Sequence, residues 1–289
     1  PPETIDECRF TKLVYENKNG CRPLTCREDY VSFSASDRDC ENLYCYIKNT
    51  EELGFGGMMG EASLNITDLS ITRFFPQTKL LALYNTSTPD ISFVKNLPNL
   101  EAFKSLDINI KSLEPLKDLN MTNIKITTEE SANSAILDFA ALSNMKRLKS
   151  LEFRGKHNGD LAPLAKLTAL ERLEIVASSK IKDICALNEL VNLNTLIVSY
   201  SNTNDIACLK KLKKLTVFGI MDSNVKSVNA IADQFPNLEW LFLEGNPIAD
   251  LTPLAKLEKL YDVWVDTENL LPCSPKSVEE IKAGVACKK

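Results

Sequence analysis

One apolar pattern recurs along the second half of this chain at a nearly constant interval. Its form is Leu-x-x-Leu-x-Leu, with Ile, Val or Phe replacing some of the leucines. Successive copies are 22 or 23 residues apart, and the middle residues of six of them are Leu151, Leu173, Leu196, Phe218, Leu241 and Val263. A fixed interval of this length predicts a stack of equivalent turns that supply the same apolar side chains to a shared interior.

Each copy has the length of a short strand, and the apolar residues after it form a return segment. One turn is too thin to bury its own leucines, whereas turns stacked about 5 Å apart build a continuous core beneath a parallel sheet. Looser copies around Leu81, Phe103 and Ile124, with Leu64 as a further candidate, extend the repeats over residues 62–266, about nine turns. We therefore predict an α/β solenoid, a leucine-rich-repeat horseshoe. Its curved parallel β-sheet would form the concave face, with short helices or 3-10 turns on the convex side and disulfide-supported caps.

Two segments carry a resemblance to a known family. Residues 246–254 (Asn-Pro-Ile-Ala-Asp-Leu-Thr-Pro-Leu) and residues 161–164 (Leu-Ala-Pro-Leu) resemble the short repeats of bacterial internalin-like leucine-rich-repeat proteins. The likeness covers residues 62–266 and implies that Asn246 belongs to a ladder of side chains bonded to the backbone of neighbouring turns. In other repeats the position equivalent to Asn246 is occupied by Lys156, Ser178, Ser201 and Ser223, so a weaker, hydroxyl-based ladder is expected there.

The chain contains nine cysteines, whose distribution favours an oxidising compartment. Five of them, Cys8, Cys21, Cys26, Cys40 and Cys45, lie in the first 45 residues, and we predict a Cys-rich N-terminal cap over residues 1–61. Their pairing is left open, and a zinc site formed by the last four of them is the alternative. An odd total leaves at least one thiol unpaired, or paired between molecules.

The C-terminal segment, residues 267–289, is predicted to form the second cap. Ser277 and Glu280 have the spacing of a helix-starting capping box, and a disulfide between Cys273 and Cys287 would hold this helix over the last repeat. Another two cysteines, Cys185 and Cys208, lie in adjacent turns but are offset by one position. That offset favours two buried thiols over a disulfide.

Two segments interrupt the repeat. Ile124 and Leu151 are 27 residues apart, and the extra residues, 129–137, favour a short helix on the outer side. Residues 54–57 (Gly-Phe-Gly-Gly) predict a flexible stretch near the end of the N-terminal cap.

The residues on either side of each middle leucine are expected to point away from the core, because side chains alternate along a strand. On the concave face this alternation brings together the two tryptophans of the chain and several other apolar side chains. The candidate partner-binding residues are Trp240, Phe242, Trp264, Met221, Ile197, Val217, Arg172, Glu174 and Asp262. A contiguous exposed apolar patch is typical of an interaction site, with packing on a cap, on a dimer mate or across the strands as the alternatives.

Catalysis and nucleic-acid binding receive little support. The single histidine, His157, is expected in a surface loop with no nucleophile beside it, and no phosphate-binding loop, zinc-protease motif or calcium loop occurs. The chain has 34 basic and 39 acidic residues and a net charge of -5, which disfavours nucleic acid as a partner. We predict no cofactor and no metal.

These features favour non-enzymatic recognition of a partner. No apolar stretch reaches the ~20 residues of a membrane span, and residues 1–3 lack the character of a signal peptide, as expected of a mature chain. The resemblance to internalin-like proteins implies a secreted, cell-surface or periplasmic protein that binds a protein or glycan, as an adhesin does. An inhibitor or assembly scaffold with a fixed envelope partner is the alternative, and an enzyme is less favoured.

Overall fold

Short strands separated by irregular return segments make up most of the chain. The computed structural model describes residues 22–26, 30–34, 51–56, 69, 72–73, 75–84, 86, 88–128, 135–181, 183–201, 203 and 206–286. The chain divides into an N-terminal unit, Pro1–Leu137, and a C-terminal unit, Asp138–Lys289.

The strands of the N-terminal unit pair in the order in which they occur along the chain. They are β1 (Arg22–Cys26), β2 (Tyr30–Ser34), β3 (Glu52–Gly56), β4 (Leu80–Tyr84), β5 (Ala102–Leu106) and β6 (Asn123–Thr127). β1 and β2 are antiparallel, whereas each later pair of neighbours from β2 to β6 is parallel. Leu53, Leu81, Phe103 and Ile124 stand side by side in this register and are buried.

Parallel pairing starts earlier in the chain than residue 62, where the repeats are predicted to begin. β2 and β3 lie within the predicted cap, and β3 contains Gly54 and Gly56 of the stretch predicted to be flexible. Leu53 and Phe55 explain the difference, because both side chains are buried at the positions that Leu81 and Leu83 fill in the next strand. Of the five N-terminal cysteines, Cys26 lies in β1, and the other four, with Leu64, lie outside the described residues.

The C-terminal unit confirms the predicted register of the repeats. Its strands are β7 (Ser150–Arg154), β8 (Arg172–Ile181), β9 (Thr195–Ser201), β10 (Val217–Met221), β11 (Trp240–Phe242) and β12 (Asp262–Trp264), and neighbouring strands are parallel. The six middle residues of the pattern align across these strands. Five of them are buried, and Val263 in the last strand is half-buried.

Return segments of the described turns are mostly 3-10 helices, as predicted. They are Ser92–Asn96, Glu114–Leu116, Ala140–Leu142, Ala162–Lys166, Cys185–Glu189 and Thr252–Lys256, and a single α-helix, α1 (Asn229–Gln234), occupies this place in one turn. Each 3-10 segment buries one apolar side chain, such as Leu164 or Leu254. Of the predicted outer helix, residues 129–134 lie outside the described residues, and residues 135–137 are not helical. Within the described ranges, no helix has the length and apolar character needed to cross a membrane.

Asn246 joins two turns through its side chain, as the resemblance implies. Its Nδ2 group donates to the carbonyl oxygens of Ile220 (2.6 Å) and Leu243 (2.8 Å), and its Oδ1 accepts the backbone N–H of Val225 at 3.1 Å. Since Asn246 is buried, these bonds satisfy backbone groups that water cannot reach.

The hydroxyl ladder is present at the two preceding copies of this position. The Oγ atoms of Ser201 and Ser223 are 2.8 Å apart, and Ser223 Oγ also donates to the carbonyl oxygen of Met221 at 3.0 Å. A serine reaches fewer backbone groups than an asparagine, because its side chain is shorter and carries one donor. The backbone N–H of Ser201 also donates to Ser223 Oγ at 3.3 Å, so two side-chain bonds join these turns, as at Asn246. Asn246 differs in that it also bonds the carbonyl oxygens of Leu243 and Glu244 in its own turn.

The chain leaves β11 through a corner that requires glycine. Gly245 has φ 71°, a left-handed conformation that is unfavourable for residues with a Cβ atom. A Cβ atom at Gly245 would also lie only 2.7 Å from the Cα atom of Asp222 in the preceding turn. Backbone strain and crowding both exclude a side chain at this corner.

Cys185 and Cys208 form a disulfide, so the prediction of two buried thiols is wrong. Their Cα atoms are 5.4 Å apart, although the two residues differ by one position when the turns are aligned by sequence. Cys185 begins a 3-10 segment, whereas Cys208 lies in a turn without one, so sequence alignment does not reproduce their positions in space.

The C-terminal segment forms the predicted helix, α2 (Val278–Lys282). Ser277 caps the helix by accepting the backbone N–H of Glu280 at 3.3 Å. Val278 and Ile281 are the buried side chains of the helix. The backbone N–H of Leu251 in the last repeat donates to Ser274 Oγ at 3.0 Å, which ties the segment to that repeat. Cys273 is disulfide-bonded, but Cys287 lies outside the described residues, so the pairing of these two cysteines stays a prediction.

Candidate binding site

The outward side chains of β8 to β12 form two rows across the sheet of the C-terminal unit. One row is Arg172, Thr195, Val217, Trp240 and Asp262, and the other is Glu174, Ile197, Gly219, Phe242 and Trp264. These ten residues, with Met221 at the end of β10, are called the sheet face below. The sheet face contains all nine residues predicted to bind a partner, and it is formed by five neighbouring strands.

Aromatic side chains gather at the β11–β12 end of the sheet face. The rings of Phe242 and Trp264 lie 6.0 Å apart between centroids, and Trp240 packs against Tyr261 at 4.8 Å. Trp264 is 50% exposed, and Trp240 and Phe242 are half-buried. This end therefore presents rigid apolar surface to solvent, as binding surfaces rich in tryptophan and tyrosine do.

Tyr261 is a member of this aromatic group that the sequence reasoning missed. It is 68% exposed, and it precedes β12 by one residue, outside the positions that flank the middle leucine. Its ring lies beside Trp240 because Trp240 and Asp262 are register partners in β11 and β12. An aromatic residue directly before a strand, one repeat after a tryptophan, was the available signal.

Gly219 makes the centre of the sheet face low and apolar. A Cβ atom at this position would lie 3.2 Å from Ile197 Cγ2 and 3.4 Å from Phe242 Cβ. Ile197 and Phe242 therefore close over the glycine from the two neighbouring strands. Val217 and Met221 of the same strand are half-buried, so the centre offers a mostly apolar floor.

The β7–β8 end of the sheet is charged, and its charges are paired. Arg172 Nε lies 3.4 Å from a carboxylate oxygen of Glu152, and the Arg172 guanidinium also contacts the Glu174 carboxylate. Arg172 and Glu174, both predicted to bind a partner, thus neutralise each other within the chain. An exposed pair of this kind contributes ~0–1 kcal/mol, and a partner would have to compete with it.

At the opposite end, Asp262 fixes the orientation of Trp264. Its Oδ1 accepts the backbone N–H of Val263 at 2.8 Å, and its Oδ2 accepts the indole N–H of Trp264 at 3.0 Å. An open cavity of about 320 Å³ lies beside the indole and is also lined by Glu244, Asp266 and Lys276.

In the described part of the chain, no cluster of histidine, cysteine and carboxylate side chains is suited to a metal ion.

His157 is buried, so its predicted place on a surface loop is wrong. It is 2% exposed, and its ring centroid lies 5.3 Å from that of Phe139 and 5.9 Å from that of Phe153. Its Nδ1 accepts the backbone N–H of Gly159 at 2.9 Å, and burial lowers the pKa of His157 to about 4. A neutral imidazole enclosed in this way has no access to a substrate, so it supports packing rather than catalysis.

Comparison with known proteins gives matches among solved structures alone. No protein-family model and no curated protein matches the chain. Internalin C2 of Listeria monocytogenes is 27% identical, with a TM-score of 0.57 over 68% of this chain and 84% of that protein. The internalin InlF of the same species is 21% identical, with a TM-score of 0.69 over 88% of this chain and 77% of that protein.

A more distant match has the same repeat architecture. The leucine-rich-repeat ectodomain of the Arabidopsis thaliana receptor kinase GASSHO1/SCHENGEN3, in complex with CASPARIAN STRIP INTEGRITY FACTOR 2, is 16% identical, with a TM-score of 0.52. The match covers 77% of this chain and 30% of that one. The repeat interval, the parallel register and these matches make the fold a leucine-rich-repeat solenoid, and the chain resembles the internalins within that fold.

Proposed function

We propose that the chain is a non-enzymatic recognition protein that acts outside the cytoplasm and binds a protein partner through its sheet face. The observation that carries this proposal is the aromatic group at the β11–β12 end, where Trp264 and Tyr261 are exposed. Apolar aromatic surface left in water is costly, and contiguous patches of it mark interaction sites. A partner that covers these rings would recover that free energy.

The dimensions of the sheet face suit a protein. Five parallel strands at about 4.8 Å spacing span about 19 Å from β8 to β12, which is comparable to one side of a small protein interface. Trp240, Phe242 and Met221 match the enrichment of aromatic residues and methionine at protein interfaces, and tryptophan is the residue most typical of hot spots. We therefore favour a protein over a glycan as the partner.

Two observations support a location outside the cytoplasm. The Cys185–Cys208 disulfide and the disulfide-bonded Cys273 require oxidising conditions to form and persist. The internalins that the chain resembles share its fold, and protein recognition by a leucine-rich-repeat ectodomain is the function that this comparison favours.

The test measures partner binding with and without the two tryptophans. Proteins captured from cell-surface and envelope extracts are identified and purified, and their affinities are then measured for the wild type and for the Trp240→Ala, Trp264→Ala double variant. We expect the double variant to lose more than ~2 kcal/mol, about 30-fold in Kd, since tryptophans that a partner covers are typical hot spots. The origin of the partner distinguishes an adhesin from an inhibitor or scaffold that acts within the producer's envelope.

A second variant controls for a general loss of apolar surface. Val191→Ala with Leu271→Ala removes two exposed apolar side chains that lie outside the sheet face. We expect it to bind as the wild type does. Equal binding by all three proteins, or no partner at all, would contradict recognition through this face.

A further inference from the structure

The two ends of the sheet face differ in how their charges are satisfied. At the β8 end, the carboxylates of Glu152 and Glu174 both contact Arg172. At the β12 end, the cavity beside Trp264 has three carboxylates, those of Glu244, Asp262 and Asp266, against one ammonium group, that of Lys276. The formal charge around this cavity is therefore about -2, counting each ionised side chain once.

Two of the carboxylates at the β12 end, those of Asp262 and Asp266, bind neutral donors, which leave their charge in place. Asp262 accepts from the backbone N–H of Val263 and the indole N–H of Trp264, and Asp266 accepts the backbone N–H of Gly245 at 2.7 Å. Among the ion pairs formed by described residues, none contains Glu244, Asp262 or Asp266. These bonds orient the oxygens but do not cancel their negative potential.

Trp264 adds an attraction of its own for a cation. The face of an indole ring attracts positive charge through its quadrupole, and an arginine or lysine above it gains ~0.5–2 kcal/mol. Trp264 is half exposed, one side of its ring is next to Phe242, and its N–H is fixed to a carboxylate. An indole held between a carboxylate and an apolar ring suits a side chain with an apolar stem and a cationic head.

We infer that the protein partner inserts an arginine or lysine into the cavity beside Trp264 and places an adjacent apolar side chain on Phe242 and Trp240. This inference rests on the proposed function and specifies the chemistry of its partner. The cationic head pairs with Asp262, Glu244 and Asp266, while the apolar residue covers the aromatic group. An acidic segment is repelled at the same place, so the charges select among partners as well as attract them.

The experiment selects peptides from a displayed random library on the wild-type protein, with counter-selection on the Trp240→Ala, Trp264→Ala variant. Selected peptides are then measured against Glu244→Gln, Asp262→Asn, Asp266→Asn, which removes the three charges and keeps one acceptor oxygen at each position. After Asp266→Asn the remaining oxygen can still accept from Gly245, and after Asp262→Asn it can accept from Trp264 at the expense of the Val263 N–H. The matched control, Glu189→Gln, Asp233→Asn, Glu258→Gln, removes three exposed carboxylates of the return segments and has the same net charge.

We expect selected peptides to carry arginine or lysine next to an apolar residue. Their affinity should fall at least 10-fold for the cavity variant, stay unchanged for the control, and weaken as salt rises from about 0.05 to 0.5 M. Peptides that need the tryptophans but lack basic residues, or that bind the cavity variant equally, would overturn this inference and leave the proposed function standing. Selection of no tryptophan-dependent peptide would overturn both.

The two tryptophans supply a check that the variants are folded and that the peptide binds where expected. With two indole N–H groups in the chain, an NMR spectrum contains two indole signals. A folded cavity variant keeps both signals dispersed, and a basic peptide should shift the Trp264 signal of the wild type. A peptide that binds without moving this signal would contradict the assigned place of the cation.

Discussion

Replacing Asn246 with alanine should remove much of the stability of the C-terminal unit. The substitution deletes the acceptor of the Val225 N–H and the donor to the carbonyl oxygens of Ile220 and Leu243, in a site that is 2% exposed. Each lost bond costs ~1 kcal/mol, and each buried group left without a partner costs ~1–3 kcal/mol. We expect the free energy of unfolding to fall by about 3–5 kcal/mol, a large part of the ~5–15 kcal/mol typical of a folded protein.

Asn246→Ser is the matched variant, because serine holds the same place in two neighbouring turns. Ser201 and Ser223 bond each other there, and Ser223 also reaches a backbone carbonyl. A serine at position 246 should keep one or two of the lost bonds, so we expect about half of the loss caused by alanine.

Urea unfolding followed by far-UV circular dichroism measures these differences, and tryptophan emission reports on β11 and β12. The transition midpoint should decrease in the order wild type, serine variant, alanine variant, with similar dependence on denaturant. If the alanine variant lies within about 1 kcal/mol of the wild type, the ladder does not stabilise the stack. If serine and alanine are equally destabilising, a hydroxyl cannot substitute for the amide.

Two further outcomes follow from the core of the C-terminal unit. Burial holds the pKa of His157 at about 4 in the folded protein, against 6.5 in the unfolded chain. The unfolded chain therefore binds a proton first as pH falls, and up to ~3 kcal/mol of the free energy of unfolding should be lost between pH 6.5 and 4. His157→Gln should flatten the stability profile between pH 7 and 5.5, and an unchanged slope would exclude this histidine as its cause. Replacing both Cys185 and Cys208 with alanine opens a loop with a sequence separation of 23 and should cost ~3 kcal/mol in urea unfolding, whereas equal stability would mean that the disulfide does not constrain the unfolded chain.

The repeat made most of the fold predictable. Because one slot recurs every 22 or 23 residues, each middle leucine identifies its neighbour in space, and the register from Leu151 to Val263 is the one read from the sequence. The 3-10 return turns follow from the same logic, since a short apolar segment such as Thr252–Lys256 must close each turn. Repetition thus replaces the long-range information that a single sequence usually lacks.

The errors occur where the local geometry departs from the repeat. His157 is polar and lies in a glycine-containing loop, which predicts exposure, yet positive φ at Gly155 and Gly159 accompanies an imidazole packed against Phe139 and Phe153. The one-position offset between Cys185 and Cys208 led to the wrong prediction of free thiols for a similar reason. Cys185 begins a 3-10 segment and Cys208 does not, so equivalent positions in the sequence are not equivalent in space.

The candidate site was predictable in position but not in its internal contacts. Strand alternation places Trp240 and Trp264 on one side of the sheet, and the structure agrees. Alternation alone cannot reveal that Arg172 is paired within the chain while Asp262 binds an indole N–H, since both contacts depend on side-chain rotamers. The difference in charge between the two ends of the face becomes visible only with those contacts.

The disulfide between neighbouring turns also has a mechanical consequence. A stack in which each turn contacts only its neighbours can be peeled apart one turn at a time when its end is pulled. The Cys185–Cys208 bond removes the intervening segment from that process, because a covalent link carries the load past it. At about 3.5 Å per extended residue, roughly 80 Å of chain stays out of reach of the applied force. A protein that holds a partner under tension would keep the strands adjoining this link together while more distant turns unravel.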